Sequence, residues 1–173
     1  HSMNTSKITP FLWFDNKAEE AMNFYVDTFN NSPHKSEESK ILNIKYYPTG
    51  MNEEHMKNME GKVLTGVFFF FLQKYMCLDG GPLFKPNESV SFLADCADQA
   101  EVDYFWDTIT KNGGMESECG WCKDRYGFSW QIAPNMAQYL ATPDGEANNR
   151  AIAAMLKMKK IDIAKLEEAY NDK

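Results

Sequence analysis

Apolar and polar side chains alternate over residues 128–132, and this alternation predicts a β-strand with one apolar face. The preceding Asp124-x-x-Gly127 predicts a tight turn, because aspartate can accept hydrogen bonds from its own backbone and glycine tolerates a positive φ. Pro134 has no backbone N–H and is expected to end the strand. Gln131 lies on the polar face and is therefore either a satisfied amide or part of a site.

The same two periodicities continue along the rest of the chain. Apolar residues recur at helical spacing over 18–29 and 98–111, which predicts two amphipathic helices. The predicted strands are 8–14, 40–47, 63–72, 75–78, 89–95, 115–119, 121–123 and 128–132. The tail is expected to be helical over 136–140, 146–158 and 163–170.

An internal repeat indicates that this pattern of strands and helices comes from a duplicated module. The segment 9–29 recurs eighty positions later, and Asp27/Asp107 and Thr28/Thr108 are identical pairs. In both copies a strand enters a helix and further strands follow, so the order β-α-β-β-β occurs twice. A small sheet with one helix buries little by itself, so we expect the two copies to form one curved sheet with a concave face.

The chain is therefore predicted to have an α+β fold of two βαβββ modules, with a curved mixed sheet and C-terminal helices. The first module is placed at 7–79, a linker at 80–87, the second module at 88–134 and a helical tail at 135–171. The tail helices carry apolar stripes, and we expect them to form the contact of a homodimer.

Composition and charge restrict the partners and the compartment. The chain has 173 residues, of which 43% are hydrophobic, and a net charge of −7, so no basic surface is available for a nucleic acid. No segment approaches the roughly 20 apolar residues of a membrane span, and no signal peptide is recognised. His1-Ser2 before Met3 is interpreted as the remnant of a cleaved tag. Four cysteines without regular spacing favour a reducing, cytoplasmic location.

Cys119 and Cys122 form a C-x-x-C motif, which is found in thiol–disulfide exchange proteins and in zinc sites. Such a redox pair usually starts a helix, whereas this one lies between predicted strands beside Glu116 and Glu118, which disfavour a thiolate. A zinc site would need a second, similarly spaced pair. We interpret the motif as two ordinary strand cysteines.

Several stretches of the sequence resemble the vicinal oxygen chelate superfamily of glyoxalase I, extradiol dioxygenases and bleomycin-resistance proteins. The stretches that carry the resemblance are 8–14 with 21–25, 75–82, 119–121 with 124–132, and 154–163. Within that superfamily they are similar to the demethylubiquinone methyltransferase-like branch, which is related to the phosphonate-operon glyoxalase-fold proteins. The resemblance extends over about residues 7–170.

The resemblance implies four pocket positions, two in each module. In the metalloenzymes of the superfamily these positions hold the metal ligands, and here they correspond to Thr9, Cys77, Ser89 and Gln131. Hydroxyl and amide groups are poor ligands for the transition metals that such sites hold, so no metal is expected. The same side chains could instead hydrogen-bond a small molecule. Trp13 and Trp121 are the aromatic residues expected to line the pocket.

The leading hypothesis is a cytoplasmic, dimeric, metal-free protein that binds a small organic ligand in a cavity between its modules. No catalytic residue is identified and no cofactor is expected, because no glycine-rich loop of the dinucleotide-binding type follows a predicted strand. One alternative is a metal-dependent lyase or dioxygenase of the same superfamily. A second is methyl transfer to a quinone-like phenol, as the branch label suggests.

Overall fold

The structure is a computed structural model that describes residues 6–172. The His1-Ser2 segment, interpreted above as a tag remnant, lies outside these residues. The chain divides into two compact units between Lys85 and Pro86, within the predicted linker 80–87.

The first unit is a four-stranded mixed sheet with one helix. Its elements are β1 (Phe11–Phe14), α1 (Ala18–Asn30), β2 (Lys40–Tyr46), a short 3-10 turn (Glu54–Met56), β3 (Val63–Phe70) and β4 (Gln73–Asp79). The strand order is β1-β4-β3-β2. The first strand runs parallel to the last one, and the other neighbours are antiparallel.

The second unit repeats this topology and adds the helical tail. Its elements are β5 (Ser91–Cys96), α2 (Gln99–Thr110), β6 (Met115–Glu116), β7 (Trp121–Lys123), β8 (Ser129–Pro134), α3 (Ala137–Leu140), α4 (Gly145–Met155) and α5 (Ile163–Asn171). The strand order is β5-β8-β7-β6, with β5 and β8 parallel. The predicted α+β class and the repeated βαβββ order are confirmed. The strands form two four-stranded sheets, one in each unit, instead of the one curved sheet that the sequence predicted.

The apolar stripe of α1 forms the core of the first unit. The residues predicted to point inward from this helix are all buried: Ala18, Ala21, Met22, Tyr25 and Phe29. The sheet makes room for the helix at Gly66, where an added Cβ would lie 2.6 Å from Met22 Sδ and 2.9 Å from Cys77 Sγ. Asp79 connects the helix to the sheet, because its carboxylate accepts hydrogen bonds from the backbone N–H groups of Ala18 (2.9 Å) and Val63 (3.0 Å).

The apolar stripe of α2 likewise forms the core of the second unit. The predicted inward residues Val102, Phe105, Trp106 and Ile109 are all buried. Asp98 caps the helix as predicted, since its Oδ1 accepts a hydrogen bond from the N–H of Glu101 at 3.0 Å. The Glu101 carboxylate in turn accepts from the N–H of Ala97, the residue before the cap, at 2.6 Å, so it ties the first turn of the helix to the chain that enters it.

The predicted turn before β8 is confirmed, and a buried carboxylate organises it. Asp124 Oδ1 accepts from the N–H groups of Tyr126 (2.9 Å) and Phe128 (3.0 Å), and Oδ2 accepts from Trp130 Nε1 (2.9 Å). Gly127 closes the turn with a φ of +91°, a conformation that only glycine adopts readily. The carboxylate therefore fixes both the turn and the ring at the start of the strand.

The tail helices pack against β8 and against each other. Ala133 of β8 and Tyr139, Ala151, Ile161 and Leu166 of the tail form one buried cluster. The stripe residues Met155, Met158, Ile163 and Tyr170 pack around it. Because the stripe is used inside the unit, it no longer supports the homodimer, which stays a prediction. No helix among residues 6–172 combines the length and hydrophobicity that a membrane crossing requires.

We expect Asp124→Ala to lower the free energy of unfolding by about 2–4 kcal/mol, because it leaves the buried Trp130 N–H and two backbone N–H groups without an acceptor. The exposed Asp15→Ala is the matched control and should change stability by less than about 0.5 kcal/mol. Urea unfolding of both variants measures the difference. Equal stabilities would show that the carboxylate does not organise the turn.

Candidate ligand-binding face of the second sheet

Each sheet has one face covered by its helix and one face on the opposite side, which we call the far face. In β1 the alternate residues Leu12 and Phe14 are buried beneath α1, whereas Phe11 is half exposed and Trp13 partly buried on the far face. Parallel pairing of β1 with β4 and of β5 with β8 then decides which residues of the last strands share that face. The far faces are therefore where the predicted site residues have to be located.

The register of these pairs corrects the predicted equivalence between the two modules. Trp13 pairs with Leu78 in the first unit, and Leu93, its repeat partner eighty positions later, pairs with Gln131 in the second. Leu78 is therefore the counterpart of Gln131, and the prediction that gave this place to Cys77 is wrong by one residue. In a strand, a shift of one residue moves a side chain to the other face.

Cys77 lies on the helix side of the first sheet. Its side chain is 0% exposed, and both it and Met22 border the space above Gly66. Burial raises the pKa of its thiol to about 12. Cys77 is thus a neutral core residue and cannot contact a ligand on the far face.

The two predicted hydroxyl positions lie before the strands instead of within them. Thr9 is partly buried and precedes β1, which begins at Phe11 instead of residue 8. Ser89 is exposed in a turn, where its N–H donates to Asn87 Oδ1 at 2.8 Å, and β5 begins two residues later. The prediction of Ser89 as a strand residue is therefore corrected.

The far face of the second sheet carries a polar pair of which the sequence pattern predicted only one member. Gln131 Nε2 donates a hydrogen bond to Ser91 Oγ at 2.9 Å, and both residues are partly buried. Trp121 is the direct cross-strand neighbour of Gln131 on β7. Ser91 was missed, although it lies two positions after Ser89 and hence on the same face of an extended strand.

Trp13, the aromatic residue predicted to line a pocket in the first unit, is held by the segment after β4. Its Nε1 donates to the carbonyl of Gly81 at 2.8 Å, and its ring meets Phe84 edge-on with centroids 4.9 Å apart. Gly80 lies directly against the ring, with no room for a Cβ. The hydrogen-bonding group of Trp13 is therefore already used within its own unit.

The residues at the four positions, once corrected, are not a metal-ligand set. Thr9, Leu78, Ser91 and Gln131 include no imidazole, carboxylate or thiolate, which are the groups that bind transition metals in proteins. Among residues 6–172, no group of three or more His, Cys, Asp or Glu side chains is placed to hold a metal ion. The donor set of this site thus does not fit the metal that the superfamily resemblance implies.

The C-x-x-C motif lies at the start of β7. Cys122 belongs to this strand and is buried, which raises the pKa of its thiol to about 12. Cys119 is partly exposed, and its N–H donates to the carbonyl of Met158, while the N–H of Gly120 donates to Lys159. The motif thus joins the strand to the tail instead of starting a helix, as a redox pair would.

Comparisons with known proteins identify the family. The family model described as 3-demethylubiquinone-9 3-methyltransferase matches residues 6–133. The chain belongs to this family. The branch expected from the sequence resemblance is thereby confirmed, and the label concerns the family's name and not a demonstrated activity of this chain. A comparison with curated proteins finds no match.

Two solved structures are similar to this chain. A protein from Bacillus cereus, described as a putative 3-demethylubiquinone-9 3-methyltransferase, PhnB protein, is 30% identical, with a TM-score of 0.63 over 75% of this chain and 99% of its own. Protein PA1353 from Pseudomonas aeruginosa is 17% identical, with a TM-score of 0.53 over 73% of this chain and 95% of its own. The first supports the glyoxalase-like fold of the family, and the second shows a shared fold only.

The thiol environments predict selective alkylation. At pH 8, iodoacetamide should modify Cys119 in the folded protein, whereas Cys77, Cys96 and Cys122 should resist, because they are buried and their thiol pKa values are raised to about 12. Since a thiolate forms only as the pH approaches the pKa, the three should still resist at pH 10. Peptide mass spectrometry measures each site, with guanidinium-unfolded protein as the control. Modification of Cys77 as fast as Cys119 would contradict this.

Proposed function

We propose that this protein is a metal-independent binding protein for small organic molecules, with Gln131 and Ser91 as the recognition pair. The observation that supports the proposal is their hydrogen bond on the far face of the second sheet, beside Trp121. The bond uses one amide hydrogen of Gln131 and one lone pair of Ser91. It leaves the amide oxygen as an acceptor and the hydroxyl hydrogen as a donor.

The chemistry of these groups favours an uncharged ligand that presents a donor and an acceptor close together, such as a carboxamide. The indole of Trp121 supplies a flat apolar surface for the body of the ligand. Asp95 lies farther along β5 on the same face, and the protein carries a net charge of −7, so an anion is disfavoured.

The residues do not support the methyl transfer named in the family label. Binding of S-adenosylmethionine in the dinucleotide manner needs a glycine-rich connection after a parallel strand. The connections here are 15–17 after β1 and 97–98 after β5, and neither contains a glycine. We therefore derive no step through this cofactor. A cytoplasmic location remains part of the proposal and is supported by four free cysteines.

Benzamide is a suitable probe of the recognition pair, because its amide presents a donor beside an acceptor on an aromatic ring. We expect it to bind the native protein and to bind Gln131→Leu at least about fivefold more weakly, the loss expected for one or two hydrogen bonds. Gln138→Leu, which changes an exposed glutamine of α3, should bind like the native protein. An NMR titration that follows the Trp121 indole and the Gln131 side-chain amide measures these affinities.

Benzoate tests the preference for an uncharged group, and we expect it to bind more weakly than benzamide. The proposal fails if Gln131→Leu and Gln138→Leu bind benzamide equally, or if benzoate is the tighter ligand.

The absence of metal-binding side chains at the four positions predicts that the fold does not depend on metal. Dialysis against EDTA should leave the melting temperature within about 1 °C of the untreated protein, because only a ligand bound to the folded state adds stability. Elemental analysis should find no stoichiometric transition metal. One bound metal per chain, lost together with stability on chelation, would favour the metal-dependent alternative.

A further inference from the structure

The second unit contains a small cavity at the beginning of β8, where β7 and β6 form the neighbouring strands. Its volume is about 150 Å³. The residues that line it are Glu88, Met115, Glu116, Ser117, Trp121, Cys122, Lys123 and Ser129. A cavity of this size accommodates a molecule about as large as benzene.

Ser129 is the unusual residue in this cavity. It is 1% exposed, and its Oγ has no hydrogen-bond partner among the residues that the structure describes. A buried hydroxyl without a partner costs stability, and such groups are rare in folded proteins. Rotation about χ1 is the movement that would present this hydroxyl to a molecule in the cavity.

The other lining residues restrict the polarity and the charge of a molecule that could bind in the cavity. Trp121 and Met115 contribute apolar surface, whereas Lys123 Nζ pairs with Glu88 Oε2 at 2.8 Å. Glu116 Oε2 accepts from Trp106 Nε1 at 3.3 Å. With one lysine paired to one of two carboxylates, the lining has no unpaired cation for an anionic ligand. The buried thiol of Cys122, with a pKa raised to about 12, adds no charge.

We propose that this cavity is a second small-molecule site, which binds a neutral, benzene-sized molecule whose hydroxyl group donates a hydrogen bond to Ser129. Ser129 pairs with Ser91 and lies on the same face of β8 as Gln131, so this site adjoins the Gln131–Ser91 pair and differs from it in its hydrogen-bonding residue and in its size limit. Trp121 borders both, because its strand neighbours Gln131 and its side chain lines the cavity. Its test changes Ser129 instead of Gln131, so its failure and the failure of the function proposed above are distinguishable.

Phenol is the probe for this site, with benzene and anisole as comparisons. Phenol should shift the Trp121 indole resonance, assigned with Trp121→Phe, and bind more tightly than benzene or anisole, because only phenol can donate to Ser129. Ser129→Ala should weaken phenol binding about fivefold, the loss expected for one hydrogen bond, and leave benzene binding unchanged. Because the native hydroxyl has no partner, this variant should be at least as stable as the native protein.

Ser32→Ala is the matched control, because Ser32 is a buried serine of the first unit whose hydroxyl donates to the carbonyl of Phe29 at 2.7 Å. It should lose stability and keep its affinity for phenol. Gln138→Leu, which changes an exposed glutamine of α3, should also bind phenol as the native protein does. The proposal is overturned if phenol leaves Trp121 unaffected, if phenol and benzene bind equally, or if Ser129→Ala binds phenol like the native protein.

Discussion

Parallel pairing of the first and last strands is the constraint on which each unit depends. Parallel neighbours cannot be joined by a tight hairpin, so the chain must cross over, and in both units it does so first through a helix. The crossover puts α1 and α2 on one face of their sheets. The strand side chains that point away from the helix form the far face. Which residues these are follows entirely from the register of the pairing.

In each unit a buried carboxylate accepts several hydrogen bonds at a point where the chain changes direction, although the donors differ. Asp79, at the end of β4, accepts backbone N–H groups from the start of α1 and from β3. Asp124, before β8, accepts from its own turn and from a tryptophan ring. A carboxylate that accepts several hydrogen bonds in a buried position is costly to remove, because its donors are left unpaired.

The two copies of the module have kept the same topology and now differ in their far faces. Trp13 pairs with Leu78 in the first unit, whereas Leu93 pairs with Gln131 in the second. Ser91 accepts a hydrogen bond from the Gln131 amide. The recognition pair and the unpaired Ser129 therefore both belong to the second unit. The first unit uses its corresponding strand positions for apolar packing.

Much of the fold was predictable from the sequence, because local physical chemistry determines it. The spacing of apolar residues in α1 and α2, the Asp98 cap, the Asp124–Gly127 turn and the eighty-residue repeat each depend on residues close together in the chain or on comparison of the two copies. The family resemblance rested on the same stretches. These features needed no knowledge of which strands meet.

Only the tertiary structure decided which side chains face a ligand. Strand pairing replaced Cys77 by Leu78 as the counterpart of Gln131, and it placed Ser91 instead of Ser89 beside the amide. Packing of the tail helices used their apolar stripe in a cluster around Leu166, and Ser129 is buried without a hydrogen-bond partner among residues 6–172. The reason is that a strand repeats every two residues, so an error of one position reverses the face, and pairing register depends on contacts distant in sequence.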